Sequence, residues 1–287
     1  MTRLFPMSTS IPESARFLPP DTFSGQVAVV TGGGTGLGLQ ISRGFAALGA
    51  TVVIASRSTD NHAEFLDEAK QQGWKAEGIA LDVREPDKVR DTMDAIAERH
   101  GRIDYLVNNA AGNFVCPAER LSSNAWRSVL GIVLDGTFYC SKYAGRHMLE
   151  AGRGTMMNIV ATYAMSGMAG VCHSASAKAG VLALTKSLAV EWASRGVRLN
   201  AVAPGPFQSG GAKQNLWPDE KIEERIRKSV PLGRFASTDE VAGHCLYLSS
   251  PAADYITGEC LVIDGGMTAG TGRMWEPGQR IDRKAAR

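Results

Sequence analysis

The alternation of short β-branched runs with helix-length amphipathic stretches, which begins near residue 26, constrains the fold more than any other feature. Such alternation is typical of βαβ units, in which helices cover both faces of one parallel sheet. The predicted strands are 27–31, 51–55, 76–81, 105–107, 155–160, 198–202 and 260–263. The predicted helices are 36–48, 61–72, 86–100, 122–150, 174–194 and 238–249. The pattern therefore predicts the α/β class, with a doubly wound parallel sheet of seven strands.

A single domain is predicted, because no linker, internal repeat or low-complexity tract divides the 287 residues. The predicted parts are an N-terminal arm (1–24), a cofactor-binding catalytic domain (25–267) and a C-terminal tail (268–287). Within the domain, glycines, prolines and polar residues precede a predicted helix at 219–228 that is rich in Glu, Lys and Arg. We therefore predict a mobile lid over 204–231.

The composition argues against several classes of partner. The formal net charge is only +2 and the cationic residues are scattered, so nucleic acid is not expected. No apolar run reaches the length of a membrane span, so we expect a cytoplasmic protein without membrane contact. A mitochondrial presequence is the alternative, although Glu13 and early prolines disfavour the amphipathic helix that it needs. The five cysteines and five histidines show neither disulfide nor metal-ligand spacing, which indicates free thiols and no metal.

A glycine-rich turn, TGGGTGLG at 31–38, follows the first predicted strand and opens the first predicted helix. The free backbone N–H groups and the helix dipole at such a turn can hold a pyrophosphate. The run is neither the GxGxxG fingerprint nor a Gly-Lys-Ser/Thr nucleotide loop, so its context carries the argument. We interpret it as the phosphate-binding turn of a Rossmann-type sheet. The predicted cofactor contacts in the turn are Gly32, Gly34, Thr35, Gly36, Leu37 and Gly38.

The second predicted strand is followed by Ser56 and Arg57, where dinucleotide enzymes place the residue that reads the adenosine ribose. An Asp there would favour NAD, whereas Arg57 with Ser56 offers donors to a 2′-phosphate. NADP(H) is therefore the predicted cofactor. The alternative is an arginine that is merely solvated at the end of a strand.

These motifs occur together in an order that resembles the short-chain dehydrogenase/reductase family over about residues 25–266. The other shared motifs are Asp82-Val83, NNAAG at 108–112, Lys178 on a long helix, Pro204-Gly205 and Asp264-Gly265-Gly266. The resemblance implies a nicotinamide cofactor. The further cofactor contacts that it implies are Asp82, Val83, Asn109, Lys178, Pro204, Gly205, Pro206 and Phe207.

Three of the four catalytic residues of ordinary family members are missing. Those members carry Tyr-x-x-x-Lys, a Ser thirteen residues before the Tyr, and an Asn on the preceding long helix. Counting from Lys178 puts Ser174 in the Tyr position and Ala161 in the Ser position. Alignment around 134–137 puts Val133 in the Asn position. Because an aliphatic hydroxyl lacks the acidity and the reach of a phenol, ordinary ketone chemistry is not expected.

Within the family, the chain resembles the mitochondrial-type 2,4-dienoyl-CoA reductases. The resemblance rests on NNAAGNF at 108–114, on Tyr163 and on SASAK at 174–178, and extends to LPP at 18–20 and ERLS at 119–122. It implies that Tyr163 and Asn113 donate hydrogen bonds to the thioester carbonyl. It also implies that Lys178 holds the nicotinamide ribose and that Ser174 supports the nicotinamide or the substrate. The implied substrate contacts are Arg57, Arg84, Phe114 and Ser122.

Such a site would reduce a conjugated dienoyl thioester with NADPH, as in fatty acid β-oxidation. Hydride would reach the distal carbon, two donors would stabilise the dienolate, and a water or Tyr163 would protonate the α-carbon. The alternative enzyme is a trans-2-enoyl-CoA reductase, and the alternative of another class is a catalytically decayed dinucleotide-binding protein. Asn215 stands where such reductases carry an Arg for CoA, so Lys213 or Arg225 is the candidate replacement.

The resemblance also suggests a homotetramer. Small residues on the 174–194 helix would permit close packing between subunits, or would serve the fold alone. These residues are Ala175, Ala177, Ala179 and Gly180. His173, which precedes this helix, is interpreted as a filler rather than a base.

Overall fold

Seven parallel strands form one sheet in the part of the chain that the structure, a computed structural model, describes, residues 11–208 and 219–270. The strands are β1 (Val27–Thr31), β2 (Thr51–Ser56), β3 (Ala76–Ala80), β4 (Tyr105–Asn108), β5 (Gly154–Ile159), β6 (Val197–Pro204) and β7 (Cys260–Ile263). Their order across the sheet is β3-β2-β1-β4-β5-β6-β7. The order reverses between β1 and β4, which is where doubly wound sheets bind ligands. The predicted fold class is confirmed.

Helices cover both faces of this sheet. They are α1 (Gly36–Ala47), α2 (Ala63–Gln72), α3 (Pro86–His100), α4 (Ser123–Leu130), α5 (Gly136–Ala151), α6 (Tyr163–Ser166), α7 (Cys172–Trp192), α8 (Glu220–Ser229) and α9 (Thr238–Ser249). Local sequence fixes several of their ends. For example, α9 begins with a capping box in which Ser237 and Glu240 satisfy each other's backbone N–H groups.

The side chains of β1 alternate between two hydrophobic layers. Ala28 and Val30 pack with residues of α1 and α9, whereas Val27 and Val29 pack on the other face with residues of α3, α5 and α7. Every residue of β1 is buried, as expected at the centre of a parallel sheet that is covered on both sides. The carboxyl ends of the central strands are therefore held firmly, and the loops that leave them carry the candidate site.

The predicted helix 122–150 is wrong in one respect, because a π-helical turn at Gly131–Asp135 separates α4 from α5. The hydroxyl of Thr137 donates a hydrogen bond to the Val133 carbonyl oxygen at 2.7 Å next to this turn. A Cβ atom on Gly136 would lie 2.6 Å from the Val83 side chain, so the glycine lets the helix pass close to the loop after β3. Turns of this kind are frequent at functional sites.

Several other boundaries differ from the sequence predictions, and three of these differences bear on the site. Tyr163, which lies outside every predicted strand and helix, is the first residue of the one-turn helix α6. Helix α7 starts at Cys172, which places Ser174 inside its first turn. Strand β6 continues to Pro204, because Pro204 pairs with Ile263 of β7.

Several predicted features lie partly or wholly outside the described residues. Helix α8 confirms the charged helix predicted at 219–228, but the preceding residues 209–218 are not among those described. Lys213 and Asn215 belong to that segment, so their predicted relation to CoA stays a prediction. The lid, the N-terminal arm and the C-terminal tail likewise remain predictions.

Two of the four small residues of α7 pack within the chain. Ala177 is fully buried, and a Cβ atom on Gly180 would lie 2.9 Å from the Leu134 side chain. Their packing therefore serves the fold, and the homotetramer stays a prediction. In the described residues, no helix is long and apolar enough to cross a membrane, and no cluster of ligating side chains could hold a metal ion.

Candidate active site

The glycine-rich turn after β1 brings the backbone into very close contact with its neighbours. A Cβ atom on Gly34 would lie 2.0 Å from the Asn61 carbonyl oxygen, and one on Gly38 would lie 2.1 Å from that of Gly32. Helix α1 begins immediately after Thr35, whose side chain makes no capping hydrogen bond. The first N–H groups of α1 therefore remain available to an anion, which is the arrangement that binds a pyrophosphate.

Hydrogen bonds join this turn to the loop after β4 at the point where the strand order reverses. The Asn109 amide nitrogen donates to the carbonyl oxygens of Thr31 and Gly32 at 3.0 and 3.1 Å. The Thr31 hydroxyl accepts from the backbone N–H groups of Asn109 and Ala110, both at 3.0 Å. Because both amide protons of Asn109 are used in this way, its side chain shapes the site and only its oxygen is left for a ligand.

The turn opens into a cavity of about 450 Å³ along the ends of β1, β2 and β4. Its lining contains ten of the predicted cofactor residues: Gly32, Gly34, Thr35, Leu37, Gly38, Ser56, Arg57, Asp82, Val83 and Asn109. It also contains seven residues that the sequence analysis missed: Ala55, Ser58, Asn61, Leu81, Ala110, Ala111 and Ile132. Ala55 and Leu81 end predicted strands, and Ala110 and Ala111 belong to the NNAAG motif, which were the signals for these four. The shape and the free N–H groups fit the adenosine and pyrophosphate of a dinucleotide.

The side chains at the end of β2 differ in the hydrogen bonds that they make within the chain. Arg57 is exposed and makes no hydrogen bond or ion pair with any described residue. The Ser56 hydroxyl donates to the Ser58 carbonyl oxygen at 2.9 Å and lies 2.7 Å from Nε2 of His62. Its single proton is therefore engaged within the chain, and Arg57 is the freer candidate for a 2′-phosphate.

Asp82 and Arg84 form an ion pair at the edge of the same cavity. Nε of Arg84 donates to the Asp82 carboxylate at 2.9 Å, and a second guanidinium nitrogen also donates to it. The guanidinium holds the pKa of Asp82 below its usual value. Arg84, predicted to contact acyl-CoA, is thus placed beside the predicted cofactor residue Asp82.

The predicted reaction end of the site consists of three side chains from three different elements. The Tyr163 hydroxyl at the start of α6 lies 3.1 Å from Oγ of Ser174 in the first turn of α7. The Asn113 amide nitrogen, in the loop after β4, donates to the same Tyr163 oxygen at 3.4 Å. Burial raises the pKa of Tyr163, so the phenol keeps its proton at neutral pH. The structure thus brings together the three residues that the resemblance paired.

Backbone contacts orient the side chains around this cluster. The Asn113 side-chain oxygen accepts from the Phe114 backbone N–H at 2.9 Å, which directs the amide nitrogen toward Tyr163. Lys178 lies one turn further along α7, is 6% exposed, and donates from Nζ to the Ile159 carbonyl oxygen. Burial lowers the pKa of Lys178 to about 8.

Apolar side chains fill two positions where ordinary family members would place catalytic donors. Val133, in the π-helical turn, is 1% exposed, and Ala161, after β5, is 9% exposed. Neither side chain can donate or accept a hydrogen bond. The structure therefore offers no side-chain donor at either position, and Tyr163 with Asn113 supplies the polar groups of this end.

The remaining predicted residues surround the cluster without joining it. The ring of Phe114 stacks on the fully buried ring of His173, with 4.5 Å between centroids. The Ser122 hydroxyl caps α4 by accepting from the Ala125 N–H at 3.1 Å. Residues 204–207 leave β6 beside the site, where the Thr162 N–H donates to the Pro204 carbonyl oxygen.

Comparison with known proteins gives consistent results. A family model described as enoyl-(acyl carrier protein) reductase matches residues 32–268. A relative from Bacillus subtilis, named a probable 2,4-dienoyl-CoA reductase that produces (2E)-enoyl-CoA, is 44% identical over 84% of this chain and 96% of its own. A relative from Danio rerio, named a peroxisomal 2,4-dienoyl-CoA reductase that produces (3E)-enoyl-CoA, is 40% identical over 86% of this chain and 83% of its own.

Solved structures show the same architecture. A short chain dehydrogenase from Bacillus anthracis is 45% identical, with a TM-score of 0.78 over 88% of this chain and 99% of its own. A gluconate 5-dehydrogenase from Burkholderia cenocepacia, solved with NADP and tartrate, is 32% identical, with a TM-score of 0.83 over 88% of this chain and 99% of its own. These similarities support a nicotinamide dinucleotide as the cofactor.

Proposed function

The chain belongs to the short-chain dehydrogenase/reductase family, and we propose that it is an NADPH-dependent reductase of 2,4-dienoyl-CoA thioesters. One observation carries the proposal more than any other. Tyr163, Asn113 and Ser174 meet within hydrogen-bond distance, while the usual donor positions hold Val133 and Ala161. A ketone reductase needs an acid at the position of Ser174, whereas a dienoyl thioester needs donors to its carbonyl oxygen.

Tyr163 and Asn113 would stabilise negative charge on the thioester oxygen. When bound, the nicotinamide supplies a hydride to the distal carbon of the conjugated system. Charge then develops along the chain as far as the thioester oxygen, where the phenol and the amide would donate hydrogen bonds. Donors that are fixed before the reaction stabilise such charge without reorganisation, and each contributes roughly 2.7–4 kcal/mol.

The reduction is completed by protonation at the α-carbon. The raised pKa of Tyr163 keeps its proton in place until charge develops nearby, so either Tyr163 or a water beside it can supply this proton. Protonation there yields a 3-enoyl thioester. This agrees with the product in the name of the Danio rerio relative and differs from that in the name of the Bacillus subtilis relative.

Residues of both ends of the site would hold the cofactor. Lys178 would donate to the nicotinamide ribose and Ser174 would support the nicotinamide or the substrate. Arg57 would pair with the 2′-phosphate of NADPH, since its exposed guanidinium makes no hydrogen bond or ion pair with a described residue. The free N–H groups of α1 would hold the pyrophosphate.

Exposed apolar side chains beside the two donors support a fatty acyl substrate. Val115 is 57% exposed, and Met165 and Met168 are 49% and 48% exposed. The two segments that carry them are joined, because the Cys116 N–H donates to the Gly170 carbonyl oxygen at 2.8 Å. Apolar surface of this kind next to polar groups is typical of ligand-binding grooves.

The test is to follow NADPH oxidation with a 2,4-dienoyl-CoA, a trans-2-enoyl-CoA and a 3-ketoacyl-CoA in parallel. We expect turnover of the dienoyl thioester and none of the ketone. Preferential turnover of the enoyl thioester would instead establish the second candidate, a trans-2-enoyl-CoA reductase, which the description of the matching family model favours. NADPH binding without any turnover would indicate a decayed enzyme. A role in β-oxidation and a cytoplasmic location stay predictions.

A further inference from the structure

His62 packs against the turn that forms the adenosine end of the cavity. It is 2% exposed and ends the short 3-10 helix Thr59–His62 between β2 and α2. Arg57, which precedes this 3-10 helix, and Asn61, which lies in it, both line the cavity. The mechanism proposed above does not use this buried, titratable side chain.

The contacts of His62 leave its ring little freedom. Nε2 lies 2.7 Å from Oγ of Ser56, and a Cβ atom on Gly78 of β3 would lie 2.4 Å from Nδ1. Only a glycine at position 78 therefore admits the imidazole in this position. The ring is thus held between the end of β2 and the neighbouring strand β3.

The hydrogen bonds also determine which atom donates. A carbonyl oxygen can only accept, so the contact between Ser56 and the Ser58 carbonyl uses the one proton of the Ser56 hydroxyl. The contact between Ser56 and His62 then requires that Nε2 carries a hydrogen and donates to Ser56. Burial lowers the pKa of His62, which is consistent with a neutral ring of this tautomer.

The turn that His62 holds is itself packed against the phosphate-binding turn. A Cβ atom on Gly34 would lie 2.0 Å from the Asn61 carbonyl oxygen, one residue before His62. A shift of His62 would therefore be transmitted both to Arg57, through Ser56 and Ser58, and to the pyrophosphate site, through Asn61.

We propose that His62 is a positioning residue for cofactor choice, which holds the β2–α2 turn so that Arg57 and the neighbouring N–H groups can receive a 2′-phosphate. The proposal rests on the proposed use of NADPH. It assigns to Ser56 the role of a link between His62 and the turn rather than that of a direct phosphate ligand.

The experiment measures the dissociation constants of NADPH and NADH separately, by cofactor fluorescence, with the full chain and no acyl thioester. The ratio of the two constants is the readout. His62→Leu should reduce the preference for NADPH about 2- to 12-fold, the range expected for the loss of one ordinary hydrogen bond. His62→Gln, whose amide can still donate to Ser56, should retain more of the preference.

Gly78→Ala provides an independent route to the same effect. Its new Cβ atom should push the imidazole away while leaving every atom of His62 and Arg57 in the protein. The loss of preference should resemble that of His62→Leu, and the two changes together should be less than additive. His147→Leu is the matched control, because His147 bonds Asp94 between α3 and α5, away from the cavity.

The outcomes separate this proposal from the broader one. If wild type shows no preference for NADPH, the cofactor assignment itself is wrong. If wild type prefers NADPH but His62→Leu and Gly78→Ala weaken both cofactors equally, His62 has only a structural role and the proposal is overturned. A changed ratio in His147→Leu would also overturn it, since the effect would then not be specific to this turn.

Discussion

The two ends of the site are encoded in different ways. The adenosine end depends on a contiguous run, the turn at 31–38, together with the residues that directly follow β2. The proposed reaction end depends on Asn113, Tyr163 and Ser174, which belong to three different elements and meet only in the folded chain. The first end keeps the family's ordinary pattern, and the second departs from it. Cofactor binding and the choice of reaction can therefore vary independently on this fold.

The largest expected effect is at the reaction end. Tyr163→Phe removes one hydroxyl and little volume, so kcat on a 2,4-dienoyl-CoA should fall about 10²- to 10³-fold, as for the loss of one oxyanion donor. The dissociation constant of NADPH should not change, because the adenosine end is untouched. Steady-state kinetics together with a direct binding titration would measure both quantities.

Tyr255→Phe is the control for this change, because Tyr255 is fully exposed. The kcat of this variant should equal that of wild type. Asn113→Ala should resemble Tyr163→Phe, and the double variant should lose less than the product of the two effects, since both donors act on one oxygen. A Tyr163→Phe enzyme with nearly normal kcat would make Tyr163 a packing residue.

The next effect belongs to the adenosine end. Arg57→Ala should raise the dissociation constant of NADPH roughly 10- to 150-fold, the range for a charge-assisted hydrogen bond, and leave that of NADH nearly unchanged. The value of kcat at saturating cofactor should stay near that of wild type. An unchanged ratio of kcat/KM for the two cofactors would show that Arg57 is only a solvated strand-end residue.

A smaller effect is expected on the pH dependence of NADPH binding, and it involves Lys178. Burial lowers the pKa of Lys178 to about 8 from an ordinary value of 10.5, so the charged fraction falls as pH rises through 8. If the ammonium holds the nicotinamide ribose, the dissociation constant of NADPH should rise roughly tenfold between about pH 7 and pH 9. Lys178→Met should abolish this step, whereas Lys186→Met, an exposed position on the same helix, should preserve it.

The lowered pKa of Lys178 also determines how this group changes the free energy of unfolding with pH. Between about pH 8 and 10.5 the unfolded chain binds a proton at Lys178 that the folded chain does not. This group alone therefore makes the free energy of unfolding rise with pH across that window, and below it the cost of burying the charge is fully present. Urea titrations of wild type and Lys178→Met at several pH values would detect the difference.

The smallest expected effect is that of Ser174→Tyr, which should not create a new activity. Ser174→Tyr restores the family's Tyr-x-x-x-Lys pattern but should create no ketone reductase activity, because Val133 and Ala161 are buried and offer no donor. An assay with a 3-ketoacyl-CoA would measure this. Ketone reduction by wild type would contradict the account more strongly, since it would show that the missing donors do not prevent carbonyl chemistry.

The fold could be predicted from periodicity, because each strand and helix buries a face that its own sequence marks. Local motifs likewise located the glycine turn and Arg57. Sequence spacing could not reveal that Ser56 is engaged by Ser58 and His62, since that contact depends on how the β2–α2 turn packs on β3. The π-helical turn at Gly131–Asp135 was missed because its composition continues the helical pattern on both sides.

The reaction end was predictable only by resemblance. Nothing in the residues near Tyr163 indicates that its hydroxyl would meet Asn113, which is fifty positions earlier in the sequence. The helix α6 that begins at Tyr163 has only one turn, too short for periodicity to identify. The stacking of Phe114 on His173 could not be predicted from the sequence either, because it joins a loop after β4 to the start of α7.

We propose that the reaction end directs hydride to the distal carbon of a conjugated thioester. This proposal is tested most directly by reducing a 2,4-dienoyl-CoA with NADPH deuterated at the nicotinamide C4 and locating the label by mass spectrometry. We expect deuterium at C5 of the acyl chain, a solvent-derived proton at C2 and a 3-enoyl product. Deuterium at C3 with an intact 4,5 double bond, or at the carbonyl carbon, would contradict it.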